Sequence, residues 1–154
     1  MNAKKLNLLL SKRKFTIATA ESCTGGMLAS AIIGESGASE IIKASIVTYS
    51  NDAKVKYAGV KEESLKKHGA VSEKVASEMA KGIAKECGSN VGVGISGIAG
   101  PTGAVPGKPV GTVCFGFSIN GKVLTETMYF KGSRTAIRKK SVNHAIKKLE
   151  NMLK

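Results

Sequence analysis

Glu21-Ser22-Cys23-Thr24-Gly25-Gly26 separates a strand-like run, Phe15 to Ala20, from an apolar helical run, Met27 to Ile33. A hydroxyl residue at a strand-to-helix turn has two uses. Its oxygen can cap the helix by accepting a backbone N–H. Alternatively, it can act as a nucleophile beside N–H groups that have no helical partner and would stabilise an oxyanion. Glycines at 25 and 26 remove side chains, so a substrate could approach the backbone closely. On local pattern both uses stand, and the rest of the chain has to weigh them.

Outward from this turn, helical and strand-like stretches interleave. Lys4 to Lys14 reads as an amphipathic first helix with Leu6, Leu9 and Leu10 on one side. Ala44 to Tyr49 is β-branched and apolar, the pattern of a buried strand. Asn51 is placed to cap a helix over Asp52 to Ala58, closed by Gly59, and Glu62 to His68 forms another, stopped by Gly69. Ser72 caps a longer helix reaching about Cys87, with Val75, Met79 and Ile83 as its apolar stripe. Val91 to Ile98 is a glycine-spaced strand. Val110 to Ile119 and Val123 to Phe130 are strands joined across Asn120-Gly121, a strong hairpin signal. Ser133 caps a final helix. The expected fold is therefore a single-domain layered α/β protein over residues 1–154, a mixed β-sheet flanked by helices.

Composition narrows the function classes. The length suits one domain with a substantial core, and no apolar run approaches the roughly 20 residues of a membrane span. The basic start, with its short Leu6 to Leu10 run, lacks the cleavage pattern of a secretory signal, so a cytoplasmic protein is expected. Cys23, Cys87 and Cys114 are odd in number and widely spaced, which suits neither a disulfide framework nor a thiolate metal site. Asp52 is the one aspartate, and the histidines are His68 and His144, so no metal and no cofactor is expected. The formal charge of +13 raises a nucleic-acid reading. Its lysines are spread over nearly every helix, however, and do not alternate with aromatic residues. A solvated basic surface is the reading adopted, with no specific nucleic acid and no membrane as partner. A homo-oligomer is compatible with all of this.

A second informative stretch is Thr48-Tyr49-Ser50-Asn51-Asp52-Ala53-Lys54. Tyr49 ends a strand, so its hydroxyl emerges at the sheet edge where α/β proteins place their sites. Lys54 falls near a helix start, where the dipole disfavours an ammonium and pushes the lysine toward its neutral form. A neutral amine can take the proton of a serine; the plain alternative is a surface lysine. Cys23 competes with Ser22 as nucleophile but needs a nearby histidine, and His68 and His144 both read as structural. Gly92-Val93-Gly94-Ile95-Ser96-Gly97 imitates a dinucleotide fingerprint yet lies within a strand and is followed by a proline loop. Gly97-Ile98-Ala99-Gly100-Pro101-Thr102-Gly103 offers open N–H groups able to hold an anion, or simply forms a turn. Arg134 and Arg138 share a helix face and suit a phosphate, or are surface charge.

Taken together with Gly69-Ala70-Val71-Ser72 and Lys108-Pro109-Val110-Gly111-Thr112-Val113, these motifs occur in an order that resembles the CinA C-terminal domain family, the stand-alone nicotinamide-nucleotide amidohydrolases. The likeness runs over nearly the whole chain. It implies metal-free hydrolysis of nicotinamide mononucleotide, the small-molecule partner, to nicotinate mononucleotide and ammonia. In this chain the implied catalytic residues are Ser22 as nucleophile, Lys54 as base and Tyr49 relaying or positioning the proton. The implied substrate contacts are Thr24, Gly25, Gly26, Thr48, Gly97, Ala99 and Gly100, with Arg134 or Arg138 at the phosphate. N–H groups around Thr24 to Gly26 would hold the oxyanion. Gly103-Ala104 departs from the pair of glycines that members often carry. A non-catalytic module that binds a pyridine nucleotide or another phosphorylated ligand is the competing reading, and a basic nucleic-acid accessory protein a third.

Overall fold

The computed structural model describes residues 1–154. Helix α1 (Lys4–Arg13) precedes strand β1 (Ile17–Glu21), helix α2 (Met27–Ile33), a 3-10 turn (Ala38–Glu40) and strand β2 (Ile42–Val47). Helices α3 (Asn51–Ala58), α4 (Glu62–His68) and α5 (Glu73–Cys87) follow in succession. Strands β3 (Val91–Gly97), β4 (Thr112–Ile119) and β5 (Lys122–Tyr129) then lead to α6 (Arg134–Met152). The sheet order is β2-β1-β3-β4-β5. Strand β1 runs parallel to both its neighbours, whereas β3–β4 and β4–β5 are antiparallel, so the sheet is mixed as expected.

Alternation along the strands sorts the two faces. Ile17, Val91, Val93, Ile95, Val113, Phe115 and Phe117 join Leu6, Leu10, Leu28, Ile32, Ile137, Ile146 and Leu149 in the larger core, beneath α1, α2 and α6. Ala18 and Ala20 face the opposite way and pack with Ala58, Val60, Val75, Met79 and Ile83 of α3, α5 and the segment between α3 and α4. On that second face β3 and β4 carry glycine. A Cβ at Gly92 would lie 2.1 Å from the Ala80 carbonyl oxygen, and at Gly94 or Gly116 it would lie 2.4 or 2.2 Å from that of Ala76. Helix α5 therefore rests on the sheet through its backbone. The glycine spacing that imitates a nucleotide fingerprint is a seat for a helix.

Several local expectations change. β2 is an edge strand whose residues alternate between half-buried and exposed, not a buried strand. The cap of α3 is Ser50, whose Oγ accepts from Ala53 N–H at 3.0 Å, and Asn51 is the first helical residue. β4 starts at Thr112, because Gly111 packs against the Phe130 carbonyl oxygen where a Cβ would come within 1.9 Å. Ser72 and Ser133 cap α5 and α6 through their hydroxyls, and Asn120 and Gly121 turn the hairpin with φ of 49° and 84°.

Candidate active site

The three mutually parallel strands end at one edge of the sheet. β1 delivers Glu21 and Ser22, β2 delivers Thr48 and Tyr49, and β3 delivers Ser96 and Gly97. After β1 the chain crosses first to β2 on one side and later to β3 on the other. The crevice at such a switch point is where open α/β sheets collect ligands. A cleft of about 220 Å³ opens there, bordered by Ser22, Cys23, Tyr49, Lys54, Ser96, Gly97, Ala99 and Arg134. A larger groove of about 710 Å³ runs along α5 between Lys61, Lys74, Lys81 and Lys85, but brings no nucleophile and base together.

Whether Ser22 caps α2 is decided by its neighbour. The N-cap of α2 is Gly26, with φ of 91° and no side-chain cap. The Glu21 carboxylate reaches the helix entrance instead. Its Oε2 accepts from Gly26 N–H (3.1 Å), Leu28 N–H (3.1 Å) and the Thr24 hydroxyl (2.7 Å). Its Oε1 accepts from Ala29 N–H (2.9 Å) and the Thr19 hydroxyl (3.1 Å). The whole residue is buried, and all five partners can donate, which suits an acceptor-only carboxylate. Glu21 thus performs the capping that the hydroxyl was a candidate for, and Ser22 Oγ is left for other work.

That oxygen meets Lys54. The lysine is 1% exposed, and its Nζ lies 3.1 Å from Ser22 Oγ, 2.8 Å from the Thr48 carbonyl oxygen and 3.2 Å from the Tyr49 carbonyl oxygen. A neutral amine has two hydrogens and one lone pair. Given to the two carbonyls, the hydrogens leave the lone pair for the serine proton. Lys54 is placed by α3, whose C-terminal end lies against α5, where a Cβ at Gly82 would meet the Ala58 carbonyl oxygen at 1.7 Å. Burial pulls the Lys54 amine below the ordinary lysine value of 10.5, a larger cause than the upward pull of Cys23. That upward pull needs a thiolate, and burial above all pushes the Cys23 thiol up to about 12. Near neutral pH the thiol is therefore uncharged, and Cys23 is a poor nucleophile beside Ser22. Desolvation by burial is the largest cause that lowers this amine.

The remaining expected residues divide by where they fall. Gly97 and Ala99 wall the cleft; at Gly97 a Cβ would come 2.7 Å from Val113 and 3.0 Å from the Cys23 sulfur. Thr48 is fully buried, its carbonyl holding Lys54 and its hydroxyl without a partner. Gly25 N–H is spent on the Ser22 carbonyl (3.0 Å) and Gly26 N–H on Glu21. The N–H groups free for an oxyanion in this turn are therefore those of Cys23 and Thr24, not the Thr24 to Gly26 set expected. Tyr49 is 64% exposed and borders the same cleft, and its hydroxyl accepts from Arg134 Nη2 at 3.3 Å. Arg134 also donates to the Gly100 carbonyl at 2.8 Å and borders the cleft. Arg138, four residues on, turns to the motif itself and donates to the carbonyls of Cys23 (2.9 Å) and Thr24 (3.2 Å).

Glu21 was missed because an acid at a strand end reads as solvated. The available signal was α2, whose first turn has neither a side-chain cap nor an acid of its own. Ser96, which donates to the Ala70 carbonyl at 2.7 Å and fixes the far wall, was hidden inside the glycine pattern.

A model of the CinA C-terminal domain matches residues 1–153. A CinA-like protein of Kosmotoga olearia is 51% identical over 138 residues, 90% of this chain and 34% of the relative. A putative competence-damage inducible protein of Clostridium acetobutylicum is 50% identical over 141 residues, 92% of this chain and 34% of the relative. The chain thus spans about a third of the length of the curated relatives it matches. Among solved structures, the competence or damage-inducible protein of Enterobacter asburiae superposes with a TM-score of 0.96 at 37% identity, covering 99% of this chain and 96% of that one.

Proposed function

The chain belongs to the CinA C-terminal domain family, and from that premise we propose that it is a serine amidohydrolase converting nicotinamide mononucleotide to nicotinate mononucleotide and ammonia. The observation that carries the reading is the buried amine of Lys54 beside Ser22 Oγ, with two carbonyls directing its lone pair to the serine. The substrate comes from the family resemblance of the motifs; the names of the relatives speak of competence and damage and specify no chemistry.

Ser22 Oγ attacks the carboxamide carbon as its proton passes to Lys54 Nζ. The new oxyanion is received by the Cys23 and Thr24 N–H groups, which have no internal partner. Lys54 then returns the proton to the departing nitrogen, the C–N bond breaks and ammonia leaves an ester on Ser22. Water, deprotonated by the same lysine, cleaves that ester and restores the hydroxyl. Arg134 and Tyr49 at the rim hold the ribose phosphate, so that binding energy remote from the amide positions it. Tyr49 is assigned to the substrate and not to a proton relay, because its hydroxyl faces Arg134.

Ammonia release from nicotinamide mononucleotide, measured with chelator present, tests this. Ser22→Ala is expected to lower the rate by roughly a thousandfold or more. If native protein leaves the nucleotide intact, or Ser22→Ala matches it, the amidase reading fails. Nucleotide binding by calorimetry would then mark a binding module that kept the cleft.

A further inference from the structure

The turn that presents Ser22 is held by two opposite charges with complementary tasks. Glu21 takes its donors, the Thr24 hydroxyl and Gly26 N–H, together with the entrance of α2. Arg138 takes its acceptors, two successive carbonyls, from across the chain. Because a trans peptide is planar, with its C=O and N–H opposed, fixing the Cys23 carbonyl fixes the direction of Thr24 N–H. Fixing the Thr24 carbonyl does the same for Gly25 N–H, which closes onto Ser22 O. Gly25 completes the seat: its φ is 58°, and a Cβ there would sit 3.2 Å from Arg138 Nη2. A buried carboxylate without a cationic partner is costly, and in this chain that cost is placed at the residue before the nucleophile.

We infer that Glu21 and Arg138 are paired positioning residues: they clamp the peptide planes of residues 23–25 so that Ser22 and the free N–H groups stay aligned, and neither touches the substrate. The inference rests on Ser22 being the nucleophile. It separates the two arginines, leaving the phosphate to Arg134 and giving Arg138 to the turn. With Glu21 accepting from the Gly26, Leu28 and Ala29 N–H groups, the start of α2 keeps none of these for an anion.

Acylation of Ser22 by p-nitrophenyl acetate reads the turn without any phosphate or carboxamide. Glu21→Gln, Arg138→Gln and Arg138→Lys, each verified as folded by circular dichroism, are expected to slow acylation about tenfold or more. KM for nicotinamide mononucleotide is expected to stay within about twofold, and the preference for this nucleotide over its phosphate-free riboside to remain at the native ratio. Arg134→Gln is expected to collapse that ratio. Native-rate acylation in Arg138→Gln, or loss of the phosphate preference in it, overturns the clamp. Native-rate acylation in Arg138→Lys, which keeps the charge without the two-pronged fork, overturns the paired-carbonyl geometry. If the native protein reacts with neither ester nor nucleotide, the Ser22 reading itself falls; if it reacts and the variants match it, the clamp alone falls.

Discussion

Lys54 is among the largest fully buried side chains of the molecule and has no carboxylate to pair with. A lysine so placed is costly to protonate, and the sign of the consequence follows. Its folded pKa lies below the unfolded value, so at pH between the two the unfolded chain binds the extra proton. Stability contributed at this site rises with pH through that window and is lost as pH falls below it. The same direction applies to catalysis: kcat/KM is expected to climb with pH along a limb centred below 10.5, the ordinary lysine value. A pH–rate profile with no such limb would remove Lys54 as base. Lys54→Arg, permanently protonated, is expected to lose about 10² to 10⁴-fold in rate. At this scale the sequence was partly legible. Ser22 and Lys54 were visible as residue types at element ends, but their meeting depends on a 32-residue separation that no local pattern encodes. The Glu21 cap was illegible because its hydrogen bonds run up to eight residues forward. Glu21→Gln, which turns an amide toward N–H donors, is expected to cost about 1–3 kcal/mol in urea unfolding.

Helix α5 owes its position to what the strands lack. Gly92, Gly94 and Gly116 all lie on the face that meets it, with Ala76 and Ala80 opposite. Gly94→Ala would place a methyl 2.7 Å from the Met79 Cβ and 2.4 Å from the Ala76 carbonyl oxygen, so α5 has to move. A loss of about 1–3 kcal/mol is expected in chemical denaturation. Gly82→Ala acts on the other side of the same helix, at the end of α3, and is expected to lower kcat as well as stability because α3 carries Lys54. A Gly82→Ala protein with native kcat would show that the lysine is positioned independently of that contact. Element types and order were legible from caps, turns and periodicity. The burial of β2 was not, since an apolar β-branched run looks alike at the centre and at the edge of a sheet. Nor did spacing reveal that the strand glycines seat a helix, because the same spacing serves phosphate loops.

Across the whole molecule, the cleft sits at one edge of the sheet while β5 is tied to α6 elsewhere by charge. Glu126 lies 2.6 Å from His144 Nε2 and 3.1 Å from Lys148 Nζ. Burial raises the Glu126 carboxyl, but its bonds and charges from His144 and Lys148 outweigh that and hold it below the usual 4.5. The stabilisation is therefore present above the unfolded carboxyl range and is lost as pH falls through the depressed folded value. Glu126→Gln is expected to flatten the acid limb of a thermal-stability profile, leaving the alkaline side unchanged. The layered α/β architecture was legible from the alternation of patterns, and the basic surface from composition. The gathering of three strand ends at one crevice was not, because strand order is set by packing rather than by local sequence. One consequence concerns substrate size. Arg134 and Arg138 stand a single helical turn apart on α6, roughly 6 Å in rise, one at the rim and the other under the nucleophile's turn. On the proposed reading, in which Arg134 anchors the phosphate and Ser22 attacks, the span from phosphate to reacting carbon is gauged by the pitch of a rigid rod. Analogues with a stretched or shortened tether between those two groups should be rejected, however flexible the loops around them.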